Sequence, residues 1–374
     1  MANMVYRNVG NTGVRLSPLG FGMMRLPKDE DVAIKMVREA IDEGVNYIDT
    51  AYGYLDGKSE GITGRALEDG YRDKVYLATK MPVWLVQKEQ DFDTILKEQL
   101  KRLQTDQIDF YLLHSLNKGS WETVKKFNLI EKMKEAREAG KIGYIGFSFH
   151  DTIDLFKEIV DSFDGWDFCQ IQLNYMDTEY QAGIEGLKYA SDKGLGVIIM
   201  EPLRGGFLAE VPGNVKEEFA SCEVSSDKSV VEWALDFLWD MPEVGTVLSG
   251  MSTPEQAMQN VEYAKRSSVG MLTEAEHKTI KNVQDLFKKY NTVPCTGCSY
   301  CMPCPQGVAI PQSFAAYNEA FRDKNYEKAK KQYDTWTVCF GKQADACVGC
   351  CECESKCPQG IKISEMLKKV DNFF

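Results

Sequence analysis

Eight short apolar runs, each followed by a segment whose apolar residues recur at helical spacing, follow one another between residues 19 and 266. The runs occupy residues 19–24, 46–51, 75–81, 108–114, 144–149, 168–173, 196–202 and 244–250. The amphipathic segments occupy residues 31–43, 59–68, 92–103, 123–139, 153–161, 184–193, 229–239 and 253–266. VYLATKM, IDFYLLHS and LGVIIMEPL are continuously apolar, which is the pattern of parallel strands buried on both faces. Eight strand–helix units predict a (β/α)8 barrel rather than an open doubly wound sheet, where about five to seven strands are commoner. Ahead of the first unit, Asn11-Thr12-Gly13 stands between two short extended runs and predicts a β-hairpin.

The chain has 374 residues, which is more than one barrel of this kind needs, so a second, smaller domain is expected. No apolar run approaches the ~20 residues that span a bilayer. The first residues lack the charged and then apolar pattern of a secretion signal, so a cytoplasmic protein is expected. With a formal net charge of −12, the chain lacks the excess of Lys and Arg on which non-specific binding to nucleic acid or anionic lipid relies. Neither nucleic acid nor membrane is an expected partner.

Several predicted strands end in polar residues that a purely structural barrel does not require. Asp49 closes the second, Lys80 the third, His114 the fourth and Ser148 the fifth, and Gln170 lies in the sixth. The C-terminal ends of barrel strands meet at one mouth, where active sites are built. Any one of these residues alone reads more simply as a cap or a satisfied core group; five on neighbouring strands point to a site.

Residues 5–266 resemble the aldo-keto reductases, which reduce carbonyls with a nicotinamide cofactor held across a barrel mouth. The resemblance rests on Asp49 and Tyr54 in YIDTAYGY, Lys80 in LATK and His114 in YLLHS. It implies that these four form the catalytic tetrad. Reduction of a carbonyl creates an alkoxide that must be protonated, and a phenol with a pKa of about 10 is a poor acid at neutral pH. A cationic Lys80 would stabilise the Tyr54 phenolate, Asp49 would hold the ammonium, and His114 would orient the substrate oxygen.

The resemblance also implies a cofactor cradle. Ser148 and Gln170 would hold the nicotinamide carboxamide, while Gly22, Met23, Pro202 and Leu203 would line the cradle. Met200 stands where relatives often carry a stacking aromatic ring. Gly205 and Gly206 would permit close backbone approach over the pyrophosphate. In LSGMSTPEQAMQN, Gly250 and Gln256 occupy positions where NADPH-selective relatives carry cations, and Asn260 would contact the adenine. Without those cations a 2′-phosphate lacks charge partners, so among NAD(P)H cofactors the balance leans to NADH.

Of twelve cysteines, all but Cys169 and Cys222 lie within residues 295–357. In a chain without a secretion signal this concentration points to metal or redox chemistry rather than disulfides. Cys347, Cys350, Cys353 and Cys357 have the ferredoxin spacing followed by proline, and Cys295, Cys298, Cys301 and Cys304 repeat it with a shortened last interval. Zinc is the rival metal; the triple cysteine runs and the PQG after each cluster favour two 4Fe-4S clusters. If ligands cross as in two-cluster ferredoxins, Cys295, Cys298, Cys301 and Cys357 hold one cluster and Cys347, Cys350, Cys353 and Cys304 the other. Cys339 and Cys351 are left over and read as packed thiols. Residues 311–332 between the runs read as helical.

Together these features resemble the aldo-keto reductase branch with a ferredoxin-like tail, with a barrel over residues 1–288 and an iron-sulfur domain over 289–374. The implied function is reduction of a small-molecule carbonyl, or oxidation of the alcohol, with Tyr54 as proton donor and a redox protein as a candidate partner. Two alternatives stand beside it: a ferredoxin-linked reductase in which the clusters feed the barrel, and a regulatory or binding protein on an inherited barrel. Trp84, Trp121 and Phe149, which follow or end the third to fifth strands, are candidate substrate walls.

Overall fold

A computed structural model describes residues 3–288, 290, 292–322 and 325–374. The chain divides into two compact units, one running to Pro202 and resuming over Leu235–Met271, the other made of Leu203–Ala234 and Leu272–Phe374. The division expected between residues 288 and 289 abuts residue 289, which lies outside the described residues.

The first unit opens with an antiparallel hairpin of β1 (Arg7–Asn8) and β2 (Arg15–Leu16). Eight parallel strands then close a barrel: β3 (Leu19–Gly22), β4 (Tyr47–Asp49), β5 (Tyr76–Met81), β6 (Ile108–Leu116), β7 (Ile142–Phe149), β8 (Phe168–Gln172), β9 (Gly196–Met200) and β10 (Val244–Ser249). Strand β10 pairs with both β9 and β3, which completes the ring. The eight apolar runs of the sequence are these eight strands.

The hairpin plugs one end of the barrel. Val9, Val14 and Leu16 share a buried cluster with Tyr47, Ala78, Phe110, Phe168, Ile198 and Leu248. Tyr47 and Phe168 are the first residues of their strands, so the hairpin seals the N-terminal end and leaves the C-terminal ends as the mouth. Gly10 sits at φ +48, and a Cβ there would lie 2.3 Å from the Gly196 nitrogen at the start of β9. The plug therefore requires glycine at that position.

Helices α1 (Glu30–Asp42), α2 (Ser59–Ala66), α3 (Gln90–Leu103), α4 (Lys118–Lys126), α5 (Leu129–Glu138), α6 (Ile153–Asp161) and α7 (Gly183–Asp192) follow the strands in turn. The single helix expected over residues 123–139 is two. Asn128 adopts φ 50, ψ 39 and interrupts the ladder, while Asn117 and Ser120 form a capping box that starts α4 before the expected boundary. Apolar periodicity continues through the break because both helices bury the same kind of face. Further along come α8 (Gly213–Ala220), α9 (Val230–Trp239), α10 (Pro254–Lys265) and α11 (Glu274–Phe287). Of these, α8 and α11 lie outside the eight repeats and were not anticipated.

In the second unit, the stretch expected to be helical over residues 311–332 comprises α12 (Ile310–Arg322) and α13 (Tyr326–Phe340), and α14 (Ile363–Phe373) ends the chain. Their core gathers Val308, Phe314, Tyr317, Tyr333, Ile363, Leu367 and Val370, with Cys295, Cys304, Cys347 and Cys357 packed against it. Phe321 stacks on Phe373 and Tyr333 on Phe374, so aromatic rings tie α14 to α12 and α13. No described helix is long and apolar enough to cross a membrane.

Candidate functional site

The barrel brings the four tetrad residues together. Asp49 is the last residue of β4 and Lys80 lies in β5; they are 2% and 0% exposed. The Lys80 ammonium donates to Asp49 Oδ1 at 2.5 Å and to the Thr50 carbonyl at 2.8 Å. It lies 5.0 Å from the centre of the Tyr54 ring. His114 also packs against that ring, edge to face with centroids 5.9 Å apart. One acid, one phenol, one ammonium and one imidazole thus share a single strand-end cluster.

The local backbone presents Tyr54 to this cluster. Its N–H donates to the Ala51 carbonyl at 3.1 Å and opens a tight turn over Tyr54–Gly57. The next two residues, Leu55 and Asp56, are left-handed at φ 52 and φ 55, although neither is glycine. Such strain persists only where surrounding structure over-determines it, and functional loops are where it concentrates.

Burial sets the electrostatics. Desolvation pulls the Lys80 ammonium down from its usual pKa, opposed by the carboxylates of Asp49 and Glu60. His114 is 4% exposed, and burial, followed by the Lys80 and His150 charges, holds it well below 6.5. The ring at the mouth is therefore neutral at physiological pH, able to donate from one nitrogen and accept at the other. His150, just after β7, is pushed down to about 4 by burial, while its Nδ1 lies 3.2 Å from Gln181 Oε1. Sequence reading passed over His150, because one histidine after a strand carries no motif.

The residues expected around the cofactor have varied surroundings. Gln170 donates through Nε2 to Asp49 Oδ2 at 3.0 Å, so both carboxylate oxygens are held. Ser148 Oγ accepts from the Ser115 N–H at 2.7 Å. Met23 is buried, its N–H bonded to the Asp49 carbonyl and its own carbonyl accepting from Ser59 Oγ. Gly22 lies where a Cβ would stand 3.1 Å from the Ser249 carbonyl, so its lack of a side chain lets β3 approach β10. Met200 ends β9, half-buried, and Pro202 follows it, buried. Asn260 donates to Ser249 Oγ at 3.1 Å, and Gln256 accepts from the Ser252 N–H at 2.9 Å, which ties both to the β10 end. The aliphatic stem of Arg25 lies 3.3 Å from where a Gly250 Cβ would be.

Leu203, Gly205 and Gly206 belong to the second unit, in and beside the turn Arg204–Ala209. Gly205 has φ +65, and a Cβ there would lie 2.3 Å from the Thr296 carbonyl; the close approach it permits is to the chain between Cys295 and Cys298. Of the three candidate substrate walls, Trp84 stands at the mouth with its ring 5.1 Å from His114. Trp121 and Phe149 do not. Trp121 is 3% exposed and donates to Glu158, and Phe149 is fully buried against Phe156, because both side chains turn into the layer between barrel and helices.

The cysteines gather in two groups. Cys295, Cys298, Cys301 and Cys357 line one cavity, with Ile310, Phe314, Ile361 and Ile363 as its apolar walls. Burial and the neighbouring Cys295, Cys298, Cys357 and Cys353 thiols push the Cys301 thiol up to about 12. Burial raises Cys353 to about 11, with Cys304 and Cys347 among the neighbours acting the same way. Bare thiolates would repel one another here, so each group suits positively charged iron. Among the described residues no three His, Cys, Asp or Glu side chains close round a single ion. Cys339 and Cys351, expected to be packed, are exposed; Cys351 sits at φ 59 on the loop of the second run. Cys169 and Cys222 are buried.

The closed parallel barrel has counterparts among known proteins. Residues 18–285 match the aldo/keto reductase family model, and residues 294–362 match that of a 4Fe-4S dicluster domain. The chain belongs to the aldo/keto reductase family. As a family member it is an oxidoreductase carrying a 4Fe-4S dicluster domain at its C-terminus. It is 28% identical over 319 residues to the uncharacterized oxidoreductase YqkF of Bacillus subtilis, covering 76% of this chain and 99% of that one. It is 27% identical to L-galactose dehydrogenase of Arabidopsis thaliana, covering 77% and 96%. The NADH-specific methylglyoxal reductase of Escherichia coli is 26% identical, covering 68% and 91%. Among solved structures, the holo form of aldo-keto reductase AKR11C1 from Bacillus halodurans superposes with a TM-score of 0.63 at 26% identity, covering 75% of this chain and 96% of that one.

Proposed function

We propose that this aldo/keto reductase interconverts a small-molecule carbonyl and the corresponding alcohol, with Tyr54 as proton donor and acceptor. The observation that carries the reading is the buried Lys80–Asp49 pair, with its ammonium 5.0 Å from the Tyr54 ring and His114 beside that ring. A nicotinamide nucleotide bound at the mouth would supply a hydride to the carbonyl carbon. As the carbonyl oxygen gains negative charge, the Tyr54 hydroxyl gives it a proton and becomes a phenolate. Lys80 stabilises that phenolate, and Asp49, held in turn by Gln170, keeps the ammonium in place. Neutral His114 orients the oxygen with a ring N–H. In the oxidative direction the same phenolate removes the alcohol proton.

Ser148, next to the end of β7, and Gln170, within the neighbouring β8, are polar side chains of the types that bind a carboxamide. The absence of cations at Gly250 and Gln256 supports NADH, and one relative of the chain is an NADH-specific reductase. For the clusters, the cavity set Cys295, Cys298, Cys301 and Cys357 supports crossed ligation, which assigns Cys347, Cys350, Cys353 and Cys304 to the second centre. The test is consumption of NADH and of NADPH with a panel of aldehydes and ketones. Tyr54→Phe should abolish turnover while nucleotide binding and cluster absorbance persist. Absence of turnover in either direction, with cofactor bound and clusters intact, would overturn the reading.

A further inference from the structure

Behind Lys80, on the face of β5 turned away from the barrel axis, lies a second carboxylate that the tetrad does not include. Glu60 on α2 is fully buried. Its Oε1 accepts from Thr79 Oγ1 at 2.7 Å and from Gln99 Nε2 at 2.8 Å, and its Oε2 from Arg102 at 3.3 Å. Gln99 also donates to the Lys80 carbonyl at 3.0 Å, and its Oε1 accepts from the Tyr111 hydroxyl at 2.6 Å. Burial raises the pKa of this carboxyl, and the donors from Thr79, Gln99 and Arg102 oppose the rise by favouring its ionised form.

A glutamine in this place could still accept from Thr79 and Gln99 through its amide oxygen, and it would avoid the desolvation cost of a buried charge, but its NH2 would face the Arg102 donor. The one cation in contact, Arg102, is 27% exposed and shared with Glu98 at 2.5 Å. The negative charge is thus only partly neutralised on its own side and acts on Lys80, one residue along the strand from Thr79. We propose that Glu60 is a positioning residue whose charge, held behind β5 by Thr79 and Gln99, keeps Lys80 protonated and sets the pH at which Tyr54 ionises. The proposal rests on the reading of Tyr54 as the proton donor.

The charged and titratable groups around Lys80 are Asp49 on β4, Glu60 on α2, Tyr54 in the turn after β4 and His114 on β6. Around Glu60 they are Arg102 on α3 and Tyr111 on β6, with Glu98 and Tyr52 beyond the arginine. Removing a negative charge makes a neighbouring ammonium or phenol give up its proton more readily, and removing a positive charge does the reverse. Glu60→Gln should therefore move the inflection of the pH–kcat/KM profile down by roughly half to one unit. Arg102→Gln should move it up. Thr79→Val, which keeps both charges, should leave the inflection in place whatever it does to rate. Opposite displacements separate an electrostatic role from a structural one, which would lower rate without a signed shift.

The same displacements should appear without turnover, in near-ultraviolet titration of the phenolate measured as the difference between each protein and its Tyr54→Phe counterpart. If the parent chain reduces no carbonyl yet the difference titration shifts as stated, the assigned reaction fails and the role of Glu60 stands. If Glu60→Gln does not fold, the upward displacement in Arg102→Gln carries the test. An unmoved titration, or displacement of both variants in the same direction, overturns the proposal.

Discussion

Lys80 shows how much of this site depends on pairing. A fully buried ammonium is tolerable because Asp49 and the Thr50 carbonyl meet it directly. Asp49→Asn leaves that ammonium without its partner and should cost about 3–5 kcal/mol in unfolding free energy as well as activity. Denaturant titration with enzyme assay checks both; a variant that lost rate but kept full stability would mean that Lys80 deprotonates without difficulty. His114 gives a pH prediction. Its pKa is depressed in the folded chain, so the unfolded chain binds a proton that the folded one refuses. Its contribution to stability is complete above pH 6.5 and is lost as pH falls below that value. The denaturation midpoint should fall on acidification below this point, and His114→Gln should flatten the slope. At this scale residue types were legible in the sequence and contacts were not. Asp49, Tyr54, Lys80 and His114 could be named from strand ends and family motifs, whereas the Gln170–Asp49 bond joins residues 121 positions apart.

At the scale of elements, apolar periodicity identified the strands because each is buried on both faces. It failed where a break leaves the period intact, as at Asn128 between α4 and α5, and where a helix lies outside the repeat, as with α8 and α11. Helix packing is also specific in a way that period alone does not express. Gly64 lies inside α2, where alanine would ordinarily stabilise a helix by about 1 kcal/mol. Here a Cβ would meet the Arg102 carbonyl at 2.7 Å and the Leu103 carbonyl carbon at 3.0 Å, at the end of α3. Gly64→Ala should instead destabilise by about 1–3 kcal/mol, lowering the thermal midpoint. A stabilised variant would mean that the α2–α3 contact can open without loss.

For the whole molecule, the two units have separate cores, and the ten cysteines of residues 295–357 belong to the second. Cys301 is a buried member of the second core as well as an assigned ligand. Cys301→Ser should reduce iron and sulfide by about half, since one of two clusters is lost. It should also loosen α12–α14 to hydrogen exchange while the barrel strands stay protected. Full iron content in this variant would contradict the crossed ligand sets.

The sequence alone determined the barrel, because strands buried on both faces must be apolar throughout and parallel strands must be separated by helices. It also pointed to the chemistry to expect, since the resemblance to the aldo-keto reductases picks out four strand-end residues and the two cysteine runs are visible as spacing. Tertiary structure alone decided which groups share an environment. It placed Gln170 on Asp49, Glu60 behind Lys80, Cys357 among Cys295, Cys298 and Cys301, and turned Trp121 and Phe149 away from the mouth. Each of these depends on distances between segments far apart in the chain. Local propensity and spacing do not encode such distances, and the closing of the barrel and the packing of its helices fix them.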